Sequence, residues 1–523
     1  MPYQSTEGTD KSYTFSEALS MNRCPEGGLF VPVDLPVLSP TDEAALRTLD
    51  FVGRFAYLLG LFTQGDPLMD PKINQDLAPD FLDSLCREAF ADFKLPDLDV
   101  MVPCLNPYAS RTREYLFSLD QGPTGWVGDY TAALLGVLLR RVLPQIAPAP
   151  HTLVIPDLHP LDVCALARAH QDDDSWVPLF VLGKDQVSPD FLCRLKTLMP
   201  LENAHFYGLE GNPWEVGQAL LGLLDHEEIQ SHFAKAGIHL LLFGQTSLLP
   251  AIVACVLMGV GLSYWGESPD LDLEFASYKD IAFPALSIPF LLGGLYLKAM
   301  VPSLQQVFVG GGPNLHLMEF LQKGHLDTRA PWLPALTLGQ GIPSLAQMSQ
   351  LTHYLTGGTT YLVQACKTRL IGQGTCLLKK ELQKAWHRYL KAIDLPEADL
   401  IPFGREIYDD LDYGFDADTL TTFFAVRSYF QKPHALRSRQ HVLYISPSHP
   451  LVTAESTSAI QGVPWNPTAS YEERKNAYNL LAQELGIDVP LGLHGGELAY
   501  PIETLRAEDF AQAILGLFAE NEG

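Results

Sequence analysis

The sequence lacks a surplus of positive charge, and it lacks lysine over a long stretch of its first half. The 35 lysine and arginine residues stand against 61 aspartate and glutamate residues, which gives a formal net charge of −26. This balance repels phosphate backbones and anionic membrane surfaces, so we expect neither nucleic acid nor a membrane as a partner. No lysine occurs between Lys94 and Lys184. That gap excludes chemistry that needs a lysine amine from every position between them.

Metal-binding patterns are also missing. The eight cysteines are scattered, with no C-x-x-C motif and no cysteine–histidine pair at the spacing of zinc ligands. We therefore predict reduced thiols in the core and no bound metal. The amino terminus lacks the basic-then-apolar order of a secretion signal, so a cytoplasmic location is the expectation.

One long hydrophobic run is present. Residues 248–265 carry no charge, and a run of 18 residues is close to the lower limit for crossing a bilayer. The run has no cationic anchor on either side, and Pro250 and glycines interrupt it. We predict a helix buried in a protein core.

The rest of the chain has the composition of a packed globular protein with two or three domains, at 47% hydrophobic and 18% charged residues. Helical periodicity at residues 41–62 and 78–93 predicts a small amino-terminal domain over residues 1–100. Short β-rich runs then alternate with helical ones. The predicted strands are residues 152–156, 177–182, 238–243, 306–309 and 441–446.

This alternation implies parallel strands joined by right-handed crossovers, and therefore an α/β fold with three layers. We expect the α/β core to span residues 101–325, with a smaller lobe inserted at about residues 145–245. Residues 326–523 would complete the core and add carboxyl-terminal helices. Frequent glycine, proline and serine between residues 324 and 374 indicate loops there.

Two stretches resemble threonine synthases and threonine synthase-like proteins. The first is YQSTEG at residues 3–8, followed by FSEAL at 15–19 and PEGGLFVPVDLP at 25–36. The second is the Gly-Pro-Thr turn at 122–124, which precedes a helix as the family's G-P-T-x-x-F-K-D-F segment does. The resemblance implies the two-domain fold of tryptophan synthase β subunits, which is the fold-type-II fold of enzymes that use pyridoxal phosphate. In threonine synthases a lysine carries this cofactor while phosphohomoserine is converted to threonine.

The lysine of that family is absent from this sequence. When the family pattern is placed on GPTGWVGDY, Gly128 falls at the lysine position, and Asp129 and Tyr130 match the following D-F. Glycine has no side chain that could form an imine or carry a proton. The resemblance therefore predicts no catalytic residue at this position and no covalently bound pyridoxal phosphate.

Two further cofactor motifs are altered. The family's T-S-G-D-T-G loop falls on residues 157–162, DLHPLD, which lack its glycines and hydroxyl groups. The glycine-rich phosphate turn, V-P-S-G-N-F-G-D in the family, is best matched by residues 288–294, IPFLLGG. Gly293 and Gly294 are candidate remnants of that turn. Apolar residues before them would desolvate a phosphate without donating hydrogen bonds, which costs several kcal/mol.

The substrate and ring contacts are altered as well. The family's S-A-N-S-I-N-x-x-R falls on residues 243–251, where Ala251 replaces the arginine. Its G-T-A-H-P, in which a hydroxyl meets the pyridine nitrogen, resembles residues 446–450, SPSHP. Ser446 is the candidate remnant of that hydroxyl.

These losses favour a threonine synthase-like pseudoenzyme, without pyridoxal phosphate, that acts by binding. Its partner would be an unknown protein or a small metabolite in the emptied cleft, and the protein could be an oligomer. One alternative is an active threonine synthase or related phospho-lyase that uses pyridoxal phosphate on a lysine elsewhere. Another is an enzyme with a rebuilt, cofactor-independent cleft, in which His159, Asp157 or Asp129 would be the candidate groups.

Overall fold

The computed structural model describes residues 1–95, 101–104, 113–147, 151–157, 160–170, 176–183, 205–210, 226–244, 248–264, 279–312, 316–330, 345–411, 414–431, 441–490, 503–506 and 509–519. Residues 9, 22, 236, 465 and 467–469 are excepted from these ranges, and residues 191, 195, 216, 219, 220, 222 and 493 are described individually.

The strands of the described residues form two large and two small sheets. They are β1 (Tyr3–Ser5), β2 (Phe30–Pro32), β3 (Met101–Cys104), β4 (Arg113–Ser118), β5 (His151–Asp157), β6 (Trp176–Gly183), β7 (His205–Glu210), β8 (Ile238–Gly244), β9 (Lys279–Pro284), β10 (Leu304–Gly311), β11 (His325–Asp327), β12 (Thr375–Leu377), β13 (Leu390–Asp394), β14 (His441–Ser446) and β15 (Glu503–Arg506). The larger sheet has the order β13-β10-β9-β14-β4-β3, and only its β3–β4 pair is antiparallel. The smaller lobe holds a parallel sheet in the order β15-β7-β6-β5-β8.

Helices cover the larger sheet and connect the strands. They are α1 (Phe15–Ser20), α2 (Pro40–Leu46), α3 (Phe51–Thr63), α4 (Phe81–Ala89), α5 (Gly128–Arg141), α6 (Pro160–His170), α7 (Glu227–Lys235), α8 (Leu248–Tyr264), α9 (Ile288–Met300), α10 (His316–Lys323), α11 (Leu345–Leu355), α12 (Thr360–Gln373), α13 (Lys380–His387), α14 (Glu397–Leu411), α15 (Ala417–Gln431), α16 (Ala454–Gln461), α17 (Tyr471–Leu485) and α18 (Phe510–Ala519). The predicted α/β fold with parallel strands is therefore confirmed.

Both faces of the larger sheet are apolar, so successive strand residues point into two different cores. Phe117, Phe283 and Leu443 belong to the main core, which also contains α8 and α9. Leu116 and Tyr444 belong to a second core beneath α14 and α15. A sheet covered on both faces has strands without polar alternation, which is why β9 and β14 are buried throughout.

The uncharged run forms α8, and its described residues are nearly all buried against α3, α5 and α9. The prediction of a core helix is confirmed. Within the described residues, no helix combines the length and the apolar character that a membrane span requires.

The carboxyl-terminal segment contributes to the smaller lobe as well as to the larger sheet. β14 does join the larger sheet, but β15 pairs with β7 at the edge of the smaller sheet. Phe510 and Ile514 of α18 then pack into the core of that lobe. The smaller lobe is thus built from two distant parts of the chain, a long-range pairing that local sequence patterns do not encode.

Two local predictions are wrong. The single helix predicted at residues 41–62 is two helices, because Asp50 accepts a hydrogen bond from the Gly53 amide (2.8 Å) and starts α3 as a new helix. The segment expected to be loops contains α11 and α12. Its glycines end these helices, as Gly374 does with φ +69°.

The prediction of reduced thiols is wrong for one pair. Cys366 of α12 and Cys376 of β12 form a disulfide, with Cα atoms 5.5 Å apart. The turn at Gly374 reverses the chain and places the two residues side by side. Three further cysteines among the described residues carry free, buried thiols, as predicted: Cys24, Cys86 and Cys255.

Candidate functional site

The Gly-Pro-Thr turn and the Ser-Pro-Ser-His-Pro segment meet at the carboxyl-terminal edge of the larger sheet. They follow the neighbouring strands β4 and β14, whose parallel pairing places their ends together. The Val127 amide donates to the Pro447 carbonyl, and the His449 amide donates to the Gly125 carbonyl, both at 2.8 Å. This edge is where ligands bind in open α/β sheets.

Asp129 fixes the shape of the turn. Its carboxylate accepts hydrogen bonds from the Thr124 amide (2.9 Å) and the Thr124 hydroxyl (2.8 Å). A Cβ atom on Gly122 would lie 2.3 Å from the Asp129 carboxylate, so glycine is needed for this close approach. Burial raises the pKa of Asp129 to about 7, although the Thr124 hydrogen bonds oppose the rise. Asp129 is therefore a structural anchor of the turn.

Gly128, which the sequence analysis predicts at the position of the family's lysine, is the first residue of α5, and the space beside it is filled. The Trp126 indole N–H donates to Asp162 Oδ1 at 2.7 Å. A Cβ atom on Gly128 would lie 2.4 Å from that oxygen and 2.6 Å from Trp126 Cδ1. A side chain at position 128 would therefore collide with a hydrogen-bonded pair that links the turn after β4 to the helix after β5.

The cofactor-independent candidates are placed only in part. Asp157 ends β5, and His159 lies outside the described residues. Asp162 of the same segment is partly buried beneath Trp126, and burial raises its pKa to about 6 against the opposing effect of the indole hydrogen bond. The sequence analysis did not pair Asp162 with Trp126, because the two residues follow strands of different sheets.

Lys94 lies close to this turn. Its backbone amide donates to the Gln121 carbonyl at 3.0 Å. Its side chain is 82% exposed and lies 4.0 Å from the Asp488 carboxylate at the surface. The three atoms nearest to a Cβ atom on Gly128 all belong to Trp126 and Asp162.

The glycine-rich turn predicted at Gly293 and Gly294 is wrong, because both residues lie inside α9. A Cβ atom on Gly293 would lie 2.6 Å from the Ala254 Cβ of α8, and one on Gly294 would lie 2.2 Å from the Phe283 ring. These glycines allow α9 to pack closely against α8 and β9. Their backbone amides belong to the helix and do not form an anion-binding turn.

The turn after β9 lies a few residues earlier, at residues 285–287. Ala285 and Leu286 are buried and apolar, and the Ser287 hydroxyl caps α9 by accepting from the Phe290 amide at 3.3 Å. When the family's V-P pair is placed on Phe283 and Pro284, its serine and glycine fall on Ala285 and Leu286, and its asparagine falls on Ser287. The apolar residues that the sequence analysis placed in the phosphate turn, Phe290 and Leu291, are buried in the first turn of α9.

Ser446 points away from the turn and into a buried polar cluster. Its hydroxyl donates to Asp416 Oδ2 and accepts from the Thr419 hydroxyl, both at 3.0 Å. Asp416 also accepts the backbone amides of Asp418 and Thr419 at 3.0 Å, which caps α15. Burial raises the pKa of Asp416. The sequence analysis missed this cluster, although an aspartate three residues before a threonine at a helix start was a visible signal.

The register of this segment also needs a correction. Aligning the family's H-P on His449 and Pro450 places its hydroxyl residue on Pro447, which has no side-chain donor. Ser446 is one residue earlier, on the opposite side of the strand. At the remaining substrate motif, Ala251 is buried in the first turn of α8, and residues 245–247 lie outside the described part of the chain.

Comparison with known proteins finds similarity to threonine synthases and to a threonine synthase-like protein. Residues 2–78 match the model of the threonine synthase N terminus. "Threonine synthase-like 2" of Pongo abelii is 21% identical over 418 residues, which cover 79% of this chain and 80% of that protein. The chain is therefore similar to a threonine synthase-like protein over most of its length. A threonine synthase of Methylobacillus glycogenes is 29% identical over 147 residues, which span 28% of this chain and only 29% of that enzyme.

Solved threonine synthases share the fold of this threonine synthase-like chain. The enzyme from Brucella melitensis, solved with pyridoxal phosphate bound, superposes with a TM-score of 0.72 at 18% identity and covers 98% of both chains. The yeast enzyme superposes with a TM-score of 0.73 at 16% identity and covers 99% of both chains. At these identities the likeness shows the fold, and the site must be judged from its own residues.

Proposed function

We propose that this protein is a threonine synthase-like pseudoenzyme that does not bind pyridoxal phosphate covalently and acts by binding a partner. The observation that carries the proposal is the filled space at Gly128. The residue that would hold the cofactor lacks an amine, and Trp126 and Asp162 occupy the room that a longer side chain would need. The position is thus altered in chemistry and in shape.

The residues expected around the cofactor's phosphate and ring support the proposal. Ala285 and Leu286 offer no side-chain donor to a phosphate, and burying a phosphate dianion without donors is costly. Pro447 cannot donate to a ring nitrogen, and Ser446 is held by Asp416. The described residues therefore do not fit pyridoxal phosphate at this position.

The test is the visible spectrum of the purified protein incubated with pyridoxal phosphate. An active threonine synthase serves as the positive control: it should be yellow, and borohydride should fix the cofactor to a lysine that peptide mass spectrometry identifies. We expect this protein to remain colourless and to form no threonine from phosphohomoserine. A borohydride-trapped lysine would support the alternative of an active enzyme with its lysine elsewhere.

Cofactor-independent catalysis gains no support from the carboxylates of Asp129 and Asp162. The Asp129 carboxylate accepts two hydrogen bonds from Thr124 within the turn, and Asp162 Oδ1 accepts one from the Trp126 indole. A role as a binding partner of another protein, in the cytoplasm, is therefore our proposal for this chain. Size-exclusion chromatography with light scattering and affinity capture from the host would test the oligomeric state and the partner.

A further inference from the structure

We propose that a groove between α4, α5 and α6 binds a free amino acid with a small aliphatic side chain. This groove, the three-helix groove below, lies beside the Gly-Pro-Thr turn and encloses about 200 Å³. Small-molecule sites of several hundred Å³ hold drug-sized ligands, so this one suits a smaller molecule. The inference is independent of whether pyridoxal phosphate binds.

The floor of the three-helix groove is built from small apolar side chains. Ala133 and Val137 come from successive turns of α5, Ala165 and Ala169 come from α6, and Ala89 ends α4. Residues spaced by four lie on one face of a helix, so these side chains form a continuous apolar surface. Alanines leave room between the helices that larger residues would fill. A short aliphatic side chain matches this floor.

The rim of the groove carries charges of both signs in fixed positions. Arg140 lies 3.1 Å from the Glu88 carboxylate, and Arg168 lies 2.7 Å from the Asp92 carboxylate. All four residues line the groove. A molecule with one carboxylate and one ammonium group can pair with an arginine and an acid at the same time.

The rim ion pairs are weak enough to be exchanged for a ligand. The side chains of Arg140 and Glu88 are 36% and 41% exposed, and those of Arg168 and Asp92 are 23% and 67% exposed. Exposed ion pairs contribute only about 0–1 kcal/mol, so re-pairing them with a ligand costs little. The apolar floor then supplies favourable burial of the ligand side chain.

The net charge of the protein favours a zwitterion over an anion in this groove. A chain with a formal charge of −26 repels free anions. An amino acid has no net charge at neutral pH and escapes that repulsion. At the inner end, the groove reaches Pro123 and Asp129, the residues that shape the turn. A bound amino acid would therefore stabilise the Gly-Pro-Thr turn, which lies beside Gly128.

The experiment is calorimetric titration of the full chain with L-alanine, L-valine and L-leucine. We expect saturable binding of at least one of them. The N-acetyl and the carboxamide derivatives of the same amino acid, which lack the ammonium or the carboxylate, should bind at least tenfold more weakly. Failure of all three amino acids to bind at millimolar concentration would overturn the proposal.

Variants locate the binding site. Arg168→Gln and Asp92→Asn should each weaken binding at least tenfold, and Ala133→Leu should abolish it by filling the floor. Arg141→Gln is the matched control, because Arg141 also pairs with Glu88 (3.2 Å) but does not line the groove. Thermal melting of each variant verifies folding. Binding that is unchanged in all three groove variants would place the site elsewhere and overturn the assignment.

Discussion

At the scale of single residues, the altered site is a set of mutually dependent side chains. Gly128 is compatible with the Trp126–Asp162 hydrogen bond because it lacks a Cβ atom. The indole in turn donates to a partly buried carboxylate, which would otherwise lose this hydrogen-bond partner. A glycine at this position therefore has a packing reason as well as a chemical consequence.

A double-mutant cycle at Gly128 and Trp126 tests this dependence. Gly128→Ala places a methyl group within 2.4 Å of Asp162 Oδ1, and we expect a loss of about 1–3 kcal/mol from overpacking. In the Trp126→Ala background the indole is gone and Asp162 can move, so the same substitution should cost much less. Thermal melting of the four proteins gives the coupling. Equal costs in both backgrounds would show that the two residues are independent.

The buried carboxylates predict a pH dependence of stability. Burial raises the pKa of Asp129 to about 7 and of Asp162 to about 6, above their ordinary value of 3.8. Between pH 4 and 7 the folded chain holds more protons than the unfolded chain, so the free energy of unfolding falls as the pH rises. Each such group contributes up to about 1.4 kcal/mol per pH unit.

Asp129→Asn isolates this effect because asparagine resembles the protonated carboxyl group. Melting temperatures at pH 5 and pH 8 should differ less in the variant than in the wild type. The stability of the variant relative to the wild type should be greatest at pH 8. A pH profile parallel to that of the wild type would show that Asp129 is ionised throughout this range.

At the scale of elements, the two glycines that the sequence analysis assigned to a phosphate turn serve instead in the close packing of helices and strands. Gly293 and Gly294 let α9 approach α8 and β9, and the turn that follows β9 is apolar. Glycine inside a helix costs about 1 kcal/mol relative to alanine, so its presence at two adjacent helical positions calls for a packing explanation. The contacts with Ala254 and Phe283 provide one.

Two glycine-to-alanine substitutions in helices should have opposite effects on the stability of the protein. Gly293→Ala should lower the melting temperature by several degrees, because the new methyl group meets the Ala254 Cβ atom at 2.6 Å. Gly372→Ala, near the end of α12, has no atom within 4 Å of its Cβ position and should stabilise the protein by about 0.5–1 kcal/mol. Destabilisation by both, to the same extent, would rule out the packing account.

At the scale of the whole molecule, the smaller lobe depends on the end of the chain. β15 adds the edge strand beside β7, and α18 covers the lobe's core with Phe510 and Ile514. The edge strand and part of the core of the lobe therefore come from residues 503–519. Within the described part of this segment, no strand joins the larger sheet.

Phe510→Ala should loosen the smaller lobe while leaving the larger sheet intact. Phe510 is 1% exposed, and truncating a buried phenylalanine costs about 3–5 kcal/mol. Hydrogen exchange should speed up in β6 and β7 and stay slow in β9 and β14. Uniform acceleration in both sheets would show that the two lobes unfold as one cooperative unit.

The sequence by itself showed the resemblance to threonine synthases and most of the core elements. A strong local pattern set β14, whose predicted bounds of residues 441–446 agree with the structure. The amino-terminal motifs and the absence of lysine between Lys94 and Lys184 could be recognised because they depend only on residue identity and order. A run such as 248–264 was recognisable as a buried helix for the same reason.

Tertiary structure alone decided which residues face each other at the site. It brought together Trp126 and Asp162, which follow strands of two different sheets. It also turned Ser446 towards Asp416 and put Gly293 inside a helix. Contacts between residues far apart in the chain depend on sheet order and helix packing, and neither has a local signature. The identity of residue 128 was therefore legible in the sequence, whereas the reason why a side chain does not fit there required the fold.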